Sequence, residues 1–140
     1  MKIAIGADHR GYALKQAIVE HFKELTFDDK GACSTERSDY PVFAGAVTSA
    51  VISKRADAGI LLCGSGVGMT IAANRVKGVY AGLCWSPAIA TKAKENDGIN
   101  VLVLPADFLT AAEAYLIIDA WLNARFRGGR HQERLSTLDE

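Results

Sequence analysis

Short apolar runs alternate with amphipathic stretches along the chain. Five runs predict strands, and they cover residues 3–5, 26–28, 58–63, 79–84 and 100–104. The run over 58–63 is apolar on both faces, which is typical of a central strand in a parallel sheet. Between the runs, apolar residues recur at helical spacing, and they predict helices over 11–25, from 40 onward, over 66–75, from 87 onward and over 107–124.

Two of these helices also predict which side chains face inward. In the helix from 40 onward, Asp39 is the expected N-cap. The apolar residues of that helix that are expected to face the core are Phe43, Val47, Val51 and Ile52. The expected core face of the last helix consists of Leu109, Ala112, Leu116, Ile117, Ala120 and Trp121.

The repeated strand–helix alternation predicts an α/β fold with right-handed crossovers and an open parallel sheet that has helices on both sides. At this length one domain over 1–140 is expected. Its last part, 125–140, is a basic tail with four arginines between 125 and 134. Ligands of such sheets bind beyond the carboxyl ends of the strands, so the residues that follow the strands are the candidates for chemistry.

Composition narrows the class of protein. The 140 residues hold sixteen basic and sixteen acidic side chains, and this neutral balance argues against a nucleic-acid partner. No apolar run approaches the ~20 residues of a membrane span. The three cysteines have no metal-binding spacing, which favours a cytoplasmic protein with free thiols.

The densest motif follows the strand over 58–63 and reads Cys63-Gly64-Ser65-Gly66-Val67-Gly68. Alternating glycines let backbone N–H groups turn toward an oxyanion, and the helix that starts here favours negative charge. A thiol beside a helix N-terminus is expected to have a lowered pKa and to act as a base or nucleophile. The alternative is a buried cysteine with glycines that permit close packing.

Two other segments carry charged side chains. Asp8, His9 and Arg10 follow the first strand; Asp8 is suited to hydroxyl protons, and His9 and Arg10 are suited to an anion. The alternative is that Asp8 caps the first helix and Arg10 is solvated. In the tail, Arg130 and Arg134 share a face if the tail is helical after residue 129, and that pair is suited to a phosphate. A solvated basic tail is the alternative.

Several motifs together resemble one family, the type B ribose-5-phosphate isomerases and their galactose-6-phosphate isomerase relatives. The resemblance covers essentially the whole chain. It rests on residues 6–11, 38–41, 62–69 with 71–75, 100–102 and 128–131. It implies a Rossmann-like three-layer sandwich with a five-stranded parallel sheet. It also implies a homodimer, possible pairing of dimers into a tetramer, active sites between subunits, and no need for a metal or cofactor.

The resemblance also implies roles for individual residues. Cys63 matches the base that moves a proton between C1 and C2 of the sugar, and Asp8 matches the acid that contacts sugar hydroxyls. The residues that match the hole for the enediolate anion are Ser65 and the backbone of Gly64, Gly66 and Gly68. The residues that match other substrate contacts are Tyr40 in the pocket, Asn96 near the reacting end, and His9, Arg130 and Arg134 at the phosphate.

Two positions depart from the family's pattern. Glu95 stands where the family usually has a ring-opening histidine, and a carboxylate can take that role. Asp107 stands where an arginine often lies near the phosphate, so either its side chain points away or the anionic end of the substrate has moved.

Taken together, the motifs and the family that they resemble favour an isomerase for ribose 5-phosphate and ribulose 5-phosphate. The first alternative is an isomerase for another phosphorylated aldose, such as allose 6-phosphate, galactose 6-phosphate or a tetrose phosphate. The second is a phosphosugar-binding module without catalysis.

Overall fold

The computed structural model describes all residues from 1 to 140, and strands and helices alternate along it. The strands are β1 (Lys2–Ala7), β2 (Thr26–Asp29), β3 (Ala58–Cys63), β4 (Ala81–Leu83) and β5 (Val101–Pro105). The helices are α1 (Tyr12–His21), α2 (Tyr40–Ile52), α3 (Val67–Asn74), α4 (Pro87–Asp97), α5 (Ala111–Asn123) and α6 (Arg130–Leu138).

All five strands join one parallel sheet in the order β2-β1-β3-β5-β4. Successive side chains of a strand point to opposite faces, and each face is covered. Ile60 and Leu62 of β3 pack under α1, α4 and α5, whereas Leu61 and Cys63 pack under α2 and α3. The predicted three-layer α/β sandwich with a five-stranded parallel sheet is therefore confirmed.

Three predicted boundaries were wrong. Helix α1 ends at His21 rather than at 25, and β4 covers three residues. Helix α5 begins at Ala111 rather than at 107, because Thr110 and Glu113 form a capping box there. The segment Ala106–Phe108 is instead a 3-10 turn.

Three side chains expected in the core lie at the surface, and one of them is Ala112 near the start of α5. Ile52 is 43 % exposed at the end of α2, and Leu116 is 59 % exposed on α5. Their neighbours Val51 and Ile117 take the inward positions. Asp39 does hold the N-cap position of α2, but its side chain makes no capping hydrogen bond.

The remaining fold features concern the end of the chain and its surface. The tail is helical from residue 130, which meets the condition for Arg130 and Arg134 to share a face, and the buried Leu135 anchors α6. None of the helices has the length and apolar character that a membrane crossing requires.

Candidate active site

Cys63 is the last residue of β3 and lies at the carboxyl edge of the sheet. The residue is 5 % exposed, and its sulfur interacts with the backbone N–H groups of Gly66, Gly68 and Met69. These groups belong to the first turn of α3, where a helix leaves its N–H groups without intrahelical partners. We call the three N–H groups the amide cradle. It turns the end of β3 into a site for negative charge.

The acidity of Cys63 differs from the expectation. Burial raises the pKa of the thiol, while the N–H groups of Met69, Gly66 and Gly68 lower it and the charge of Asp8 raises it. The net pKa lies above the usual value for a thiol, so the predicted lowering was wrong for the isolated protomer. Desolvation of the sulfur at the end of a buried strand outweighs the helix N-terminus.

The glycine loop is held from both sides. The Ser65 hydroxyl oxygen accepts from Val67 N–H at 3.2 Å, and Asp107 N–H donates to the Gly64 carbonyl at 3.0 Å. The Tyr40 ring lies against Gly68 so closely that a Cβ there would be 2.7 Å from Tyr40 Cζ. Tyr40 therefore lies beside the amide cradle, with the glycines that the sequence singled out.

Asp8 and His9 lie on the loop after β1. Asp8 is buried, and its Oδ1 accepts from Arg10 N–H at 3.0 Å and Gly11 N–H at 3.2 Å. The carboxylate thus shapes the turn into α1, although Gly11 is the N-cap residue. His9 Nδ1 lies 3.2 Å from both the N and the O of Ser38, so the contact that holds the imidazole ring is made through Nδ1.

Four of the predicted site residues lie at the amino ends of the strands, away from Cys63: Glu95, Asn96, Arg130 and Arg134. Glu95 and Asn96 occupy the last turn of α4, which starts at the carboxyl edge after β4 and returns to the amino edge where β5 begins. Eleven helical residues span roughly 16 Å. Arg130 and Arg134 lie on α6, which packs against α4. One protomer does not bring these four residues to Cys63.

Glu95 is engaged in ion pairs at that edge. Its carboxylate lies 3.3 Å from Arg127 Nη2 and 3.4 Å from Lys92 Nζ. Burial by itself would raise the pKa of Glu95, but the charges and hydrogen bonds of Arg127 and Lys92 overcome this and lower it. The side chain is therefore a proton acceptor at neutral pH rather than a donor.

The two cavities of the protomer lie away from Cys63. The larger, about 710 Å³, lies at the amino edge between α3, α4 and α6. The smaller, about 330 Å³, lies between α4 and α5, and Glu95 lines it. Cys63 faces amides and a carboxylate but lines neither cavity. We call the end of the sheet around Cys63 the half-site, because the chain alone encloses no cavity beside this thiol.

Sequence reasoning missed two contributors to this site, Met69 and Ser38, and left the direction of the Asp107 side chain open. Met69 N–H joins the amide cradle, and its place in the first turn of the helix predicted over 66–75 could have indicated it. Ser38 anchors His9 across 29 residues, and no sequence signal marks that contact. Asp107 does not point away: its carboxylate lies over Gly64 and pairs with Arg10, so Arg10 is not simply solvated.

A thiol in a cradle of amides beside a carboxylate has the groups that proton transfer and stabilisation of an oxyanion require. Sequence and structure comparisons identify the family. The chain belongs to the ribose/galactose isomerase family, which matches residues 3–138.

Individual relatives match the chain along nearly its whole length. It is 43 % identical to ribose-5-phosphate isomerase B of Escherichia coli, covering 98 % of this chain and 93 % of the relative. A ribose 5-phosphate isomerase of Thermotoga maritima superposes with a TM-score of 0.97 at 42 % identity, covering 99 % and 97 % of the two chains. Ribose-5-phosphate isomerase B of Mycoplasma genitalium, solved with bound ribulose-5-phosphate, gives a TM-score of 0.92 at 42 % identity, with 98 % and 93 % coverage.

Proposed function

We propose that this protein interconverts D-ribose 5-phosphate and D-ribulose 5-phosphate through an enediolate, with Cys63 as the base. The observation that carries the proposal is the Cys63 sulfur at the end of β3, held among the N–H groups of Gly66, Gly68 and Met69. The similarity to ribose-5-phosphate isomerases over 98 % of the chain supports the choice of sugar.

The proposed reaction moves one proton between neighbouring carbons. The Cys63 thiolate removes the proton on C2 of the open-chain aldose, the C2–H electron pair forms the C1–C2 double bond, and O1 becomes the oxyanion. The thiol then returns the proton to C1 while the proton on O2 passes to O1, which leaves the ketone at C2. The loop hydrogen bonds go to Asp8 Oδ1, so Asp8 Oδ2 can accept the hydroxyl proton in transit.

The amide cradle serves both ends of this transfer. Within one chain, the N–H groups of Gly66 and Gly68 act on the Cys63 sulfur and lower the pKa that burial raises. Negative charge resides on sulfur before proton transfer and on the sugar oxygen afterwards, so the same fixed donors stabilise both states. The Ser65 hydroxyl can donate to the sugar oxygen, because its oxygen already accepts from Val67 N–H.

The working unit is a homodimer in the cytoplasm, and its active site is shared between two copies. Within one chain, Glu95, Asn96, Arg130 and Arg134 lie at the edge of the sheet opposite to Cys63. A second copy can bring its α4 end and its basic tail to the half-site of the first. In that arrangement the tail over 125–140 packs at the dimer interface, and the partner's Glu95 takes the proton of the anomeric hydroxyl when the sugar ring opens.

Replacement of Cys63 tests the base. Cys63→Ala and Cys63→Ser are expected to lose about 10²–10⁴-fold in kcat while remaining folded. Because burial raises the pKa of Cys63, the thiol is mostly protonated at neutral pH, and kcat/KM of the wild type should rise with pH above neutrality. The measurements are ribulose 5-phosphate formation and exchange of the C2 hydrogen in deuterated buffer.

Cys33→Ala is the matched control, because that thiol is exposed, and it should retain wild-type activity. Wild-type turnover in Cys63→Ala would refute Cys63 as the base. A panel of ribose 5-phosphate, allose 6-phosphate and galactose 6-phosphate tests the sugar. Stabilisation by these sugars without any C2–H exchange would instead indicate a binding module.

Subunit mixing tests the shared site. Cys63→Ala alone and the Arg130→Gln/Arg134→Gln double variant alone should both be inactive. When the two are unfolded together and refolded, random pairing should restore roughly a quarter of the wild-type activity, since each mixed dimer regains one intact site. Mixed dimers without any recovered activity would contradict a site built from two copies.

A further inference from the structure

One ion pair at the carboxyl edge joins the segments after β1 and β5, and it lies over the loop after β3. Asp107 Oδ2 accepts from Arg10 Nε at 2.7 Å and lies 2.5 Å from Arg10 Nη2. Asp107 is itself fixed, because its N–H donates to the Gly64 carbonyl at 3.0 Å. The pair therefore has a defined position relative to the glycine loop.

This ion pair covers the residue next to Cys63. A Cβ built on Gly64 would lie 2.7 Å from Asp107 Oδ2 and 2.8 Å from Arg10 Nε. The Arg10 side chain is nevertheless 57 % exposed, whereas that of Asp107 is 33 % exposed. The guanidinium is thus placed on the rim of the half-site, with its outer side open.

The geometry leaves donors available on that outer side. A guanidinium has five N–H donors, and one carboxylate oxygen that meets Nε and Nη2 engages two of them. The other three can meet a phosphate group in the fixed planar arrangement that arginine offers. Asp107 and Asp8 both raise the pKa of Arg10, the hydrogen bond to Asp107 most, so the cation persists at any working pH.

We propose that Arg10 binds the phosphate group of the substrate and that Asp107 is the positioning residue that holds the guanidinium over Gly64. The inference rests on the proposed function, since it requires a phosphorylated substrate. It assigns a purpose to an acidic side chain beside an anion site: the carboxylate is tolerated there because it is neutralised by Arg10, which presents its free donors outward.

Four variants test the assignment: Arg10→Gln, Arg10→Lys, Asp107→Asn and Arg10→Gln/Asp107→Asn. Arg10→Gln should raise both KM for ribose 5-phosphate and the inhibition constant of inorganic phosphate at least about tenfold, with kcat changed less than about threefold. Arg10→Lys should recover only part of this, because a lysine lacks the fork that meets Asp107 and phosphate together.

The double variant carries the sharpest expectation. Arg10→Gln leaves the Asp107 carboxylate without a partner beside the phosphate, and Asp107→Asn in that background removes the repulsion. The double variant should therefore bind phosphate more tightly than Arg10→Gln alone. If the pair only tied the loops together, the double variant would bind no better than the single one, and melting temperature would fall without a selective change in phosphate binding.

Calorimetric titration with inorganic phosphate separates this inference from the proposed reaction, because it needs no turnover. A tenfold loss of phosphate affinity in Arg10→Gln supports the assignment even if ribose 5-phosphate proves to be the wrong sugar. Unchanged phosphate affinity in a folded Arg10→Gln variant overturns it even if the isomerase reaction is confirmed.

Discussion

Replacement of Gly68 by alanine tests how tightly Tyr40 is bound to the amide cradle. Gly68 is the second residue of α3, and an added Cβ would lie 2.7, 2.9 and 3.0 Å from three atoms of the Tyr40 ring. Ordinary carbon contacts are about 3.5–4.0 Å, so the ring must move by about 1 Å. The variant therefore displaces one side chain at the site without changing any polar group.

The two consequences should differ in size. Alanine in a helix gains about 0.5–1 kcal/mol over glycine, and Tyr40, which is 36 % exposed, can swing outward at modest cost. We expect the free energy of unfolding to change by less than about 1 kcal/mol. Activity should fall much further, because a misplacement of about 1 Å near the chemistry can cost about 10²-fold in rate.

Urea unfolding and kcat/KM for ribose 5-phosphate measure the two effects. Gly45→Ala is the matched control, since no atom lies within 4 Å of its added Cβ, and it should stabilise the protein and keep full activity. In a Tyr40→Ala background, Gly68→Ala should cause no further loss, because both changes act through the same ring. A full additional loss in that background would refute the role given to Tyr40.

Two further predictions concern stability. Lys15 is 1 % exposed, and its Nζ lies 2.7 and 2.8 Å from the two carboxylate oxygens of Asp29. Lys15→Met should therefore lower the free energy of unfolding, measured in urea, by about 2 kcal/mol, whereas Lys23→Met at an exposed position should leave it unchanged. An unchanged urea midpoint for Lys15→Met would contradict this. Burial raises the pKa of Cys84 to about 12, so the folded chain keeps a proton that the unfolded chain loses above about pH 9. The free energy of unfolding should then fall by up to roughly 1.4 kcal/mol per pH unit between pH 9 and 12, and Cys84→Ala should flatten that fall.

The sheet was predictable from local signals, and so were most elements. The run over 58–63 is apolar at every position because β3 is buried on both faces, and the structure has every one of its residues buried. The glycine loop after β3 was predictable because a cluster of glycines indicates backbone conformations that other residues rarely adopt. Gly66 has such a conformation, with a positive φ of 78°.

The remaining features depend on contacts between distant residues. Arg10 and Asp107 are 97 positions apart, so no periodicity links them. Charge patterns alone left two alternatives, in which either the Asp107 side chain points away or the anionic end of the substrate has moved. The predicted direction of the pKa shift of Cys63 was wrong. A sequence motif indicates that a helix begins beside the thiol, but it does not indicate how far burial removes the thiol from water. The predicted start of α5 at residue 107 was wrong because the apolar pattern continues toward the N-terminus beyond Thr110, where the capping box begins the helix.

The strand order has a consequence for how the chain is made. Central β3 is bordered by β5, and β4 has no neighbour in the sheet other than β5. During synthesis on the ribosome, β3 therefore emerges long before β5, the strand that pairs with its second edge. β4 also emerges before β5, so it has no strand to pair with until then. Until residue 105 leaves the exit tunnel, the nascent chain presents an open, hydrophobic strand edge of the kind that invites aggregation and chaperone binding.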